Sequence, residues 1–247
     1  TVALYEDGAR TTVAGVAVTL YEGDDTQPLQ TAVTDEQGAY RFDGLWPDTY
    51  RLTAQLPDGM IFVRPNDPNY TAGASVIADT LNGVGESDAF TLQMAQHRLS
   101  MDMILIKPAR VGDQVWLDSN GNGLVDAGEP TVNGVTIQLL ENGEVAYTTV
   151  SNEWGYYEFA DVYPGTYTLT AQAYPELDIT QSIAALRMIS SCLTSGDGAS
   201  AQSDAFSVES GTKNFDYDLG YVLRDGQTLP EAITPGEVQH WPASDEE

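Results

Sequence analysis

The segment DSNGNGLVDAGE, which begins at Asp118, has the residue types and spacing of a calcium-binding loop. It satisfies the pattern D-x-[DN]-x-[DN]-G-x5-E at every required position. Side-chain oxygens and one main-chain carbonyl, that of the leucine, would surround the ion, and the candidate ligands are Asp118, Asn120, Asn122, Leu124, Asp126 and Glu129. Oxygen donors without His or Cys favour Ca²⁺ over transition metals, so the expected cofactor is Ca²⁺.

The charge of this loop gives a physical reason for ion binding. Three carboxylates within twelve residues repel one another unless a divalent cation lies between them. We therefore expect ion binding to be coupled to local order. The alternative is a hairpin rich in Asp and Asn that is merely well solvated.

The residues that flank the loop predict strands. VGDQVWL precedes the loop and VNGVTIQLL follows it, whereas an EF-hand would place amphipathic helices there. The corresponding segment near the N-terminus, LYEDGARTTVAG, is shorter and lacks the alternating Asp and Asn residues. That copy is expected to have lost the site.

An internal repeat determines the domain organisation. TDEQGAYRFDGLWPDTYRL, from Thr34, aligns without gaps with SNEWGYYEFADVYPGTYTL, from Ser151. Such self-similarity indicates two homologous domains. We place the first at residues 1–108 and the second, which carries the calcium loop, at residues 109–223. Residues 224–247 contain three prolines and no periodicity, which is typical of a linker or tail toward a further domain.

The hydrophobic residues in both copies alternate with period two, as in Val16, Val18 and Leu20. Turns rich in Asp, Asn, Gly and Pro separate these runs, so the fold class is all-β, with two tandem antiparallel β-sandwiches. Tyr40 and Phe42 are assigned to a strand by the same alternation. One segment differs: Ile179 to Leu193 has apolar residues at helical spacing, which predicts a short inserted amphipathic helix with Cys192 buried beside it.

Composition excludes several partners. The 247 residues include 37 Asp and Glu but 10 Lys and Arg, for a net charge of -27. Nucleic acids and anionic membranes would be repelled by such a chain, so we expect neither nucleic-acid binding nor direct membrane binding. The sequence contains no apolar run of about 18 residues.

Catalysis is not expected from this sequence. The two histidines, His97 and His240, have no nucleophile motif near them, and no glycine-rich phosphate loop opens a helix. With 37 acidic residues, pairs of carboxylates are inevitable and carry no information. The sequence therefore predicts a protein that is not an enzyme.

The segment from VGDQVWLDSNGNG to YPGTYTL resembles the SdrD B-like repeat, a Cna B-type domain of Gram-positive surface adhesins, and residues 13–52 are similar. The resemblance implies an Ig-like or prealbumin-like sandwich that calcium stabilises, with the six loop residues as ligands. It also implies stalk modules whose partners are adjacent domains of the same surface protein. The implied location is extracellular, either attached to the cell wall or secreted.

Many Cna B-type domains also contain a Lys to Asn isopeptide bond, promoted by an acid in a Tyr-x-Leu-x-Glu strand. Here Ala54 and Ala171 occupy the acid position, and the two lysines, Lys107 and Lys213, come late in their domains. We therefore predict no isopeptide bond.

Two other functions stay open: a recognition module for a host protein or glycan, and an accessory module of a secreted carbohydrate-active enzyme. A recognition surface would gather exposed aromatic residues, and the candidates are Trp46, Tyr70, Trp154, Tyr156 and Tyr163. However, Trp46 and Tyr163 occupy equivalent positions in the two copies. That shared placement favours packing over recognition.

Overall fold

The computed structural model describes residues 1–6, 8–65, 67–70, 75–230 and 233. The chain divides into two compact units, Thr1–Lys107 and Pro108–Glu247, which we call domain 1 and domain 2. Among the described residues both domains are built of β-strands, and helical turns are limited to two short 3₁₀ segments. This confirms the all-β fold class. None of the described helical segments has the length and apolar character needed to cross a membrane.

The described residues of domain 1 form ten strands in two sheets. The first sheet has the order β2-β1-β10-β6, and the second has the order β4-β3-β5-β8-β7, with β9 also paired to β5. The elements are β1 (Val2–Glu6), β2 (Ala9–Thr12), β3 (Ala17–Glu22), β4 (Gln30–Val33), β5 (Thr49–Gln55), β6 (Ile61–Phe62), a 3₁₀ turn (Pro68–Tyr70), β7 (Ile77–Leu81), β8 (Val84–Ser87), β9 (Phe90–Thr91) and β10 (Met103–Ile106).

Domain 2 repeats this plan, with eleven strands in the part of it that the structure describes. Its sheets have the orders β14-β11-β21-β16, with β20 paired to β11, and β13-β12-β15-β18-β17, with β19 paired to β15. The elements are β11 (Ala109–Leu117), β12 (Thr136–Glu141), β13 (Glu144–Val150), β14 (Tyr156–Val162), β15 (Gly165–Gln172), β16 (Leu177–Ile179), a 3₁₀ segment (Ala184–Ile189), β17 (Leu193–Gly196), β18 (Ala201–Ser203), β19 (Phe206–Val208), β20 (Lys213–Asn214) and β21 (Leu219–Leu223).

The core of each domain lies between its two sheets, as the alternation predicts. In domain 1, Val18 and Leu20 of β3 pack in one cluster with Val2 and Leu105 of the other sheet. All four side chains are less than 2% exposed. Successive strand residues point to opposite faces, so the polar residues between them meet solvent.

The first and last strands of each domain run parallel, which departs from the antiparallel pattern expected. In domain 1, β1 pairs with β10 and Val2 lies opposite Met103. In domain 2, β11 pairs with β21 and Val115 lies opposite Leu219. The chain therefore enters each domain at one end of the sheet and leaves it at the other.

A tyrosine hydroxyl fastens the same corner of both domains. The hydroxyl of Tyr50 donates to the carbonyl oxygen of Trp46 over 2.7 Å, and that of Tyr167 donates to the carbonyl oxygen of Tyr163 over 2.7 Å. Both bonds span four residues and lie at the start of equivalent strands, β5 and β15. The repeat in the sequence therefore corresponds to the same hydrogen bond at the same corner of both domains.

The strand expected at Tyr40 and Phe42 is absent from domain 1, where the described residues 40–43 have no regular structure. Its counterpart β14 pairs with Ala109 to Gln114 of β11. The carbonyl of Val115 lies against Gly155 as that of Val2 lies against Gly38, so Val2 is the equivalent of Val115. No described strand of domain 1 pairs with residues 40–43.

The prediction of an inserted amphipathic helix from Ile179 to Leu193 is wrong. Ile179 ends β16 and Leu193 begins β17, and the turn between them is 3₁₀, with non-helical backbone at Leu186. Of the apolar residues that set the helical spacing, Leu193 lies in the core and Ile179 packs against it, whereas Leu186 in the turn is 42% exposed. Cys192 is buried, at 2% exposure, as predicted.

The tail predicted as a linker, residues 224–247, is described only at residues 224–230 and 233. Within that part, Arg224 forms ion pairs of 2.9 Å with Asp178 and with Asp197, so residue 224 belongs to the body of domain 2. Residues 231–232 and 234–247 of the predicted linker lie outside the described residues.

Candidate metal site

The predicted calcium loop, residues 118–129, joins two strands of domain 2. We call it the acidic loop. It follows β11 directly, and the backbone N–H of Leu117 donates to the carbonyl of Pro130 over 2.8 Å, which closes its base. Trp116 and Thr131 form an isolated β-bridge beside that contact. The flanking segments are therefore strand-like, as expected, and the loop is a closed excursion from the sheet.

Asp118 is the most buried of the predicted ligands, at 2% exposure. Its Oδ1 accepts hydrogen bonds from the N–H groups of Gly121 (2.6 Å) and Asn122 (3.2 Å), and its Oδ2 accepts one from Gly123 (2.7 Å). The hydroxyl of Thr180 also donates to Oδ2. These donors satisfy a buried carboxylate and wrap the loop around it.

Glu129 closes the other end of the acidic loop and is 5% exposed. Its Oε1 accepts from the N–H of Ser119 over 2.9 Å, and its Oε2 accepts from the N–H of Asp126 over 3.0 Å. The carboxylate thus bridges the beginning and the end of the loop, which holds both oxygen atoms toward the loop interior.

Asn120, Asn122 and Asp126 form the outer side of the loop. The carboxamide nitrogens of Asn120 and Asn122 donate to Oδ2 of Asp126 over 2.8 and 2.7 Å. These two bonds, that from Asn120 first, hold the pKa of Asp126 below its usual value. The Asp126 carboxylate therefore faces the partial positive charges of these amide hydrogens.

The carboxamide oxygens shape the turn itself. Oδ1 of Asn120 accepts from the N–H of Asn122 over 2.9 Å, and Oδ1 of Asn122 accepts from the N–H of Leu124 over 2.7 Å. Each bond closes a local turn that favours Asn at these positions. Leu124 itself forms an isolated bridge with Ser190.

The donor set fits an oxygen-ligated cation by its chemistry. Two buried carboxylates and one partly exposed carboxylate share the loop, and within the described residues no basic side chain forms an ion pair with them. In this conformation no set of three His, Cys, Asp or Glu side chains in the described part of the chain is gathered closely enough to hold a metal. For a cation to replace the amide hydrogens beside Asp126, the two carboxamides would turn about their terminal bonds, and their oxygens would leave the backbone N–H groups of Asn122 and Leu124.

Sequence reasoning missed the segment that packs against the acidic loop. Residues 180–191, which we call the clasp segment, contribute the Thr180 hydroxyl bond to Asp118 and the Ser190 bridge to Leu124. The two segments are 62 residues apart at the Thr180 contact. Thr and Gln side chains carry no metal-ligand signal, so no motif could have identified them.

The loop of domain 1 that was expected to be degenerate forms part of a hairpin. β1 pairs with β2, and Glu6 lies opposite Ala9. Gly8 has a positive φ of 77°, which the tight turn between them requires. Four residues of strand pairing occupy the place where domain 2 has its acidic loop.

The proposed aromatic candidates divide by burial. Tyr70 and Tyr163 are buried, at 8% and 5% exposure, and Tyr156 is partly buried, whereas Trp46 and Trp154 are 82% and 61% exposed. The packing role inferred for Trp46 is therefore wrong. In domain 2 the Tyr147 hydroxyl accepts from the N–H of Tyr163 over 2.9 Å, but Gln30 occupies the equivalent strand position in domain 1 and supplies no aromatic cover.

Comparison with known protein families gives the same match for both domains. The family model described as "SdrD B-like domain" matches residues 5–105 and again residues 109–221. "Serine-aspartate repeat-containing protein D" of Staphylococcus aureus (strain MW2) is 30% identical over 234 residues, which cover 89% of this chain and 16% of that protein. "Serine-aspartate repeat-containing protein F" of Staphylococcus epidermidis is 31% identical over 167 residues, 64% of this chain and 9% of that protein.

Among solved structures, the minor pilin GBS52 of Streptococcus agalactiae covers 93% of this chain and 91% of its own. The sequence identity is 13% and the TM-score is 0.31, so this likeness carries no further argument. The present chain spans about one sixth of the length of the Staphylococcus aureus relative.

Proposed function

The chain belongs to the SdrD B-like domain family, and we propose that its two domains are structural spacers of a bacterial surface adhesin. In this role the domains hold another part of the protein away from the cell wall, and their partners are the adjacent domains of the same chain. The protein is extracellular, either attached to the cell wall or secreted, and has no catalytic function. The single observation that supports the role most directly is the parallel pairing of first and last strands in each domain.

Parallel pairing suits a spacer for a mechanical reason. Tension applied at the two ends of domain 1 pulls β1 and β10 in opposite directions along their length. The hydrogen bonds between Val2 to Leu4 and Met103 to Leu105 are then loaded together in shear. Antiparallel terminal strands would instead open one bond at a time from the end. The same argument applies to β11 and β21 of domain 2.

Calcium is proposed as the second stabilising device, in domain 2. The acidic loop begins where β11 ends, and the N–H of Asp118 donates to the carbonyl of Tyr221 in β21 over 2.7 Å. A cation held by the loop would therefore stabilise the same pair of strands that bears the load. When bound, Ca²⁺ supplies charge neutralisation for Asp118, Asp126 and Glu129, and the chain itself supplies the oxygen donors.

Force spectroscopy on the whole chain tests the spacer role. With the chain held by its two ends, we expect two unfolding events at forces typical of sheared strands, with that of domain 2 higher in calcium than in chelator. Unfolding of both domains at the low force of an unzipped hairpin would contradict the proposal.

Calorimetry tests the calcium proposal separately. At about 100 times the dissociation constant, calcium should stabilise domain 2 by about 2.7 kcal/mol and raise its melting temperature by about 10 °C. Asp118→Asn should abolish this shift. Asp161→Asn is the matched control, since Asp161 is exposed and outside the loop. Melting that is identical in calcium and chelator would reject calcium stabilisation and leave the spacer role standing.

A recognition role is the second candidate, and the exposure of Trp46 favours it. An indole that is 82% exposed offers an apolar platform to a host protein or glycan. Loss of binding to immobilised host proteins or glycans on Trp46→Ala, with unchanged melting, would support this role. Equal binding by the variant would reject Trp46 as its basis.

A further inference from the structure

The clasp segment, residues 180–191, lies between the acidic loop and β21 and contacts both. We propose that it is the second half of the acidic-loop site, with Thr180 as the residue that positions Asp118, so that loop and last strand order together. The calcium part of this proposal rests on the proposed function, whereas the mechanical part does not.

The clasp segment contacts the acidic loop at Asp118. The hydroxyl of Thr180 donates to Oδ2 of Asp118, and both residues are buried, at 4% and 2% exposure. Oδ2 also accepts the N–H of Gly123 over 2.7 Å. Because the Thr180 donor comes from outside the loop, it fixes the carboxylate relative to the rest of the domain and not merely relative to its own turn.

The second step is the close packing of Gln181 against the loop backbone. Its Nε2 donates to the carbonyl of Gly121 over 3.2 Å. A Cβ added at Gly123 would lie 2.5 Å from Cγ of Gln181 and 2.6 Å from its carbonyl oxygen. Gly123 therefore serves two purposes, since its φ of 79° makes the turn and its missing side chain admits Gln181.

The third step is backbone pairing at the far end of the clasp segment. The N–H of Val125 donates to the carbonyl of Ile189 over 2.9 Å, beside the bridge between Leu124 and Ser190. Ser190 is fully buried. The loop is thus held at Asp118, at Gly121 and at Val125, which are spread over most of its length.

The fourth step connects the clasp segment to the last strand. The N–H of Thr180 donates to the carbonyl of Gly220 over 3.0 Å, and the N–H of Gly220 donates to Oγ of Ser191 over 3.0 Å. The N–H of Cys192 donates to the carbonyl of Asp218 over 2.8 Å. A change in loop order can therefore reach β21 through Thr180 at one end of the segment and through Ser191 at the other.

The clasp segment is also closed on itself. Oγ of Ser182 donates to the carbonyl of Ser191 over 2.6 Å, and the N–H of Ile183 donates to Oγ of Ser190 over 2.8 Å. These bonds bring its two ends together, so that the residues that face the loop and those that face Gly220 belong to one unit. A segment that only lay beside the acidic loop would not need these bonds between its two ends.

Hydrogen exchange measured on the whole chain tests this proposal with Thr180→Val. The change keeps the shape of the side chain and removes the hydroxyl donor. Thr194→Val is the matched control, since Thr194 is exposed on β17. In chelator, the amides of Gly121, Gly123 and Val125 should exchange at least about tenfold faster in Thr180→Val than in the wild type, with no change in the control.

Calcium supplies the second measurement. By isothermal titration with calcium chloride, Thr180→Val should bind calcium about 10- to 100-fold more weakly than the wild type, as loss of a residue that orients a ligand does. Calcium should also slow exchange across residues 183–192 in the wild type. Gln181→Ala, at an exposed position, provides a milder variant if Thr180→Val does not fold.

The outcomes separate the two proposals. If the variants bind calcium with the wild-type affinity and their amides exchange at the wild-type rates, the proposal for the clasp segment is overturned. Calcium stabilisation would then remain intact. Faster loop exchange in Thr180→Val, in a protein that binds no calcium, would support the clasp and reject calcium stabilisation. Unchanged loop exchange in chelator overturns the positioning role of Thr180.

Discussion

Asp113 on β11 and Asp218, the residue just before β21, bury two carboxyl groups in domain 2, at 8% and 3% exposure. The carboxyl of Asp218 accepts the N–H of Gln114, while its Oδ2 has no hydrogen-bond partner. Burial, with the nearby Asp216 carboxylate, raises the pKa of Asp113 to about 7. Burial and the charge of Asp113 raise the pKa of Asp218 well above its usual value.

This pair predicts that domain 2 loses stability as the pH rises. The folded state holds both protons more tightly than the unfolded state, and the contribution of Asp113 is complete below about pH 4 and is lost as the pH rises through about 7. We expect the ionisation of Asp113 to lower the free energy of unfolding by roughly 2 to 4 kcal/mol between pH 5 and pH 8. Asp113→Asn should remove this fall, as measured by calorimetry at both values, whereas the exposed Asp225→Asn should not. Equal pH dependence in the two variants would contradict the assignment.

The second prediction concerns Gly155, where φ is 73° and an added Cβ would lie 2.4 Å from the carbonyl oxygen of Val115. Gly155→Ala therefore combines backbone strain with a collision against the sheet. It should destabilise domain 2 by about 3 to 5 kcal/mol. Gly143→Ala is the control, because Gly143 has a φ of 84° but open space around it, and should cost about 1 kcal/mol. Chemical denaturation of the whole chain provides the comparison, and equal losses would show that the collision is relieved.

The third prediction follows from the exposure of Trp46. Acrylamide should quench the fluorescence of Trp46 and Trp154 and spare that of Trp116, which is fully buried. Trp46→Ala should change the stability of domain 1 by no more than about 0.5 kcal/mol, because the side chain packs little. A large loss would restore the packing interpretation that the repeat suggested.

The fourth prediction concerns covalent chemistry. Intact-mass spectrometry should give the mass of the sequence without loss of ammonia, because no isopeptide bond forms. Lys107 forms an ion pair of 2.7 Å with Glu6 instead, and Ala54 and Ala171 leave no acid to promote the reaction. A mass lower by one ammonia would overturn this prediction.

The sequence predicts well those features that depend on neighbours along the chain. Alternation at Val16, Val18 and Leu20 identified the buried face of β3, since strand geometry sends successive residues to opposite sides. The acidic loop can be predicted as a closed segment between strands because its candidate ligands all lie within twelve residues. Both signals are local and need no knowledge of the remainder of the fold.

What the sequence did not show depends on distant contacts. Thr180 donates a hydrogen bond to Asp118, which is 62 residues away in the sequence. Neither segment contains a sequence signal that predicts this contact. Trp46 is exposed and Tyr163 is buried although the repeat makes them equivalent, and β4 has Gln30 where β13 has Tyr147. Spacing alone could not separate a helix from the strand, turn and strand around Ile179 and Leu193.

The pairing of β1 with β10 also determines when domain 1 can be completed during synthesis. Val2 meets Met103, so the edge of β1 stays bare until almost the whole domain has left the ribosome. Joining ends so far apart is slow, because the entropy of closing the chain is lost before the contact forms. A product that stops short of Met103 would therefore carry an open strand edge, the surface through which nascent chains associate with the wrong neighbour.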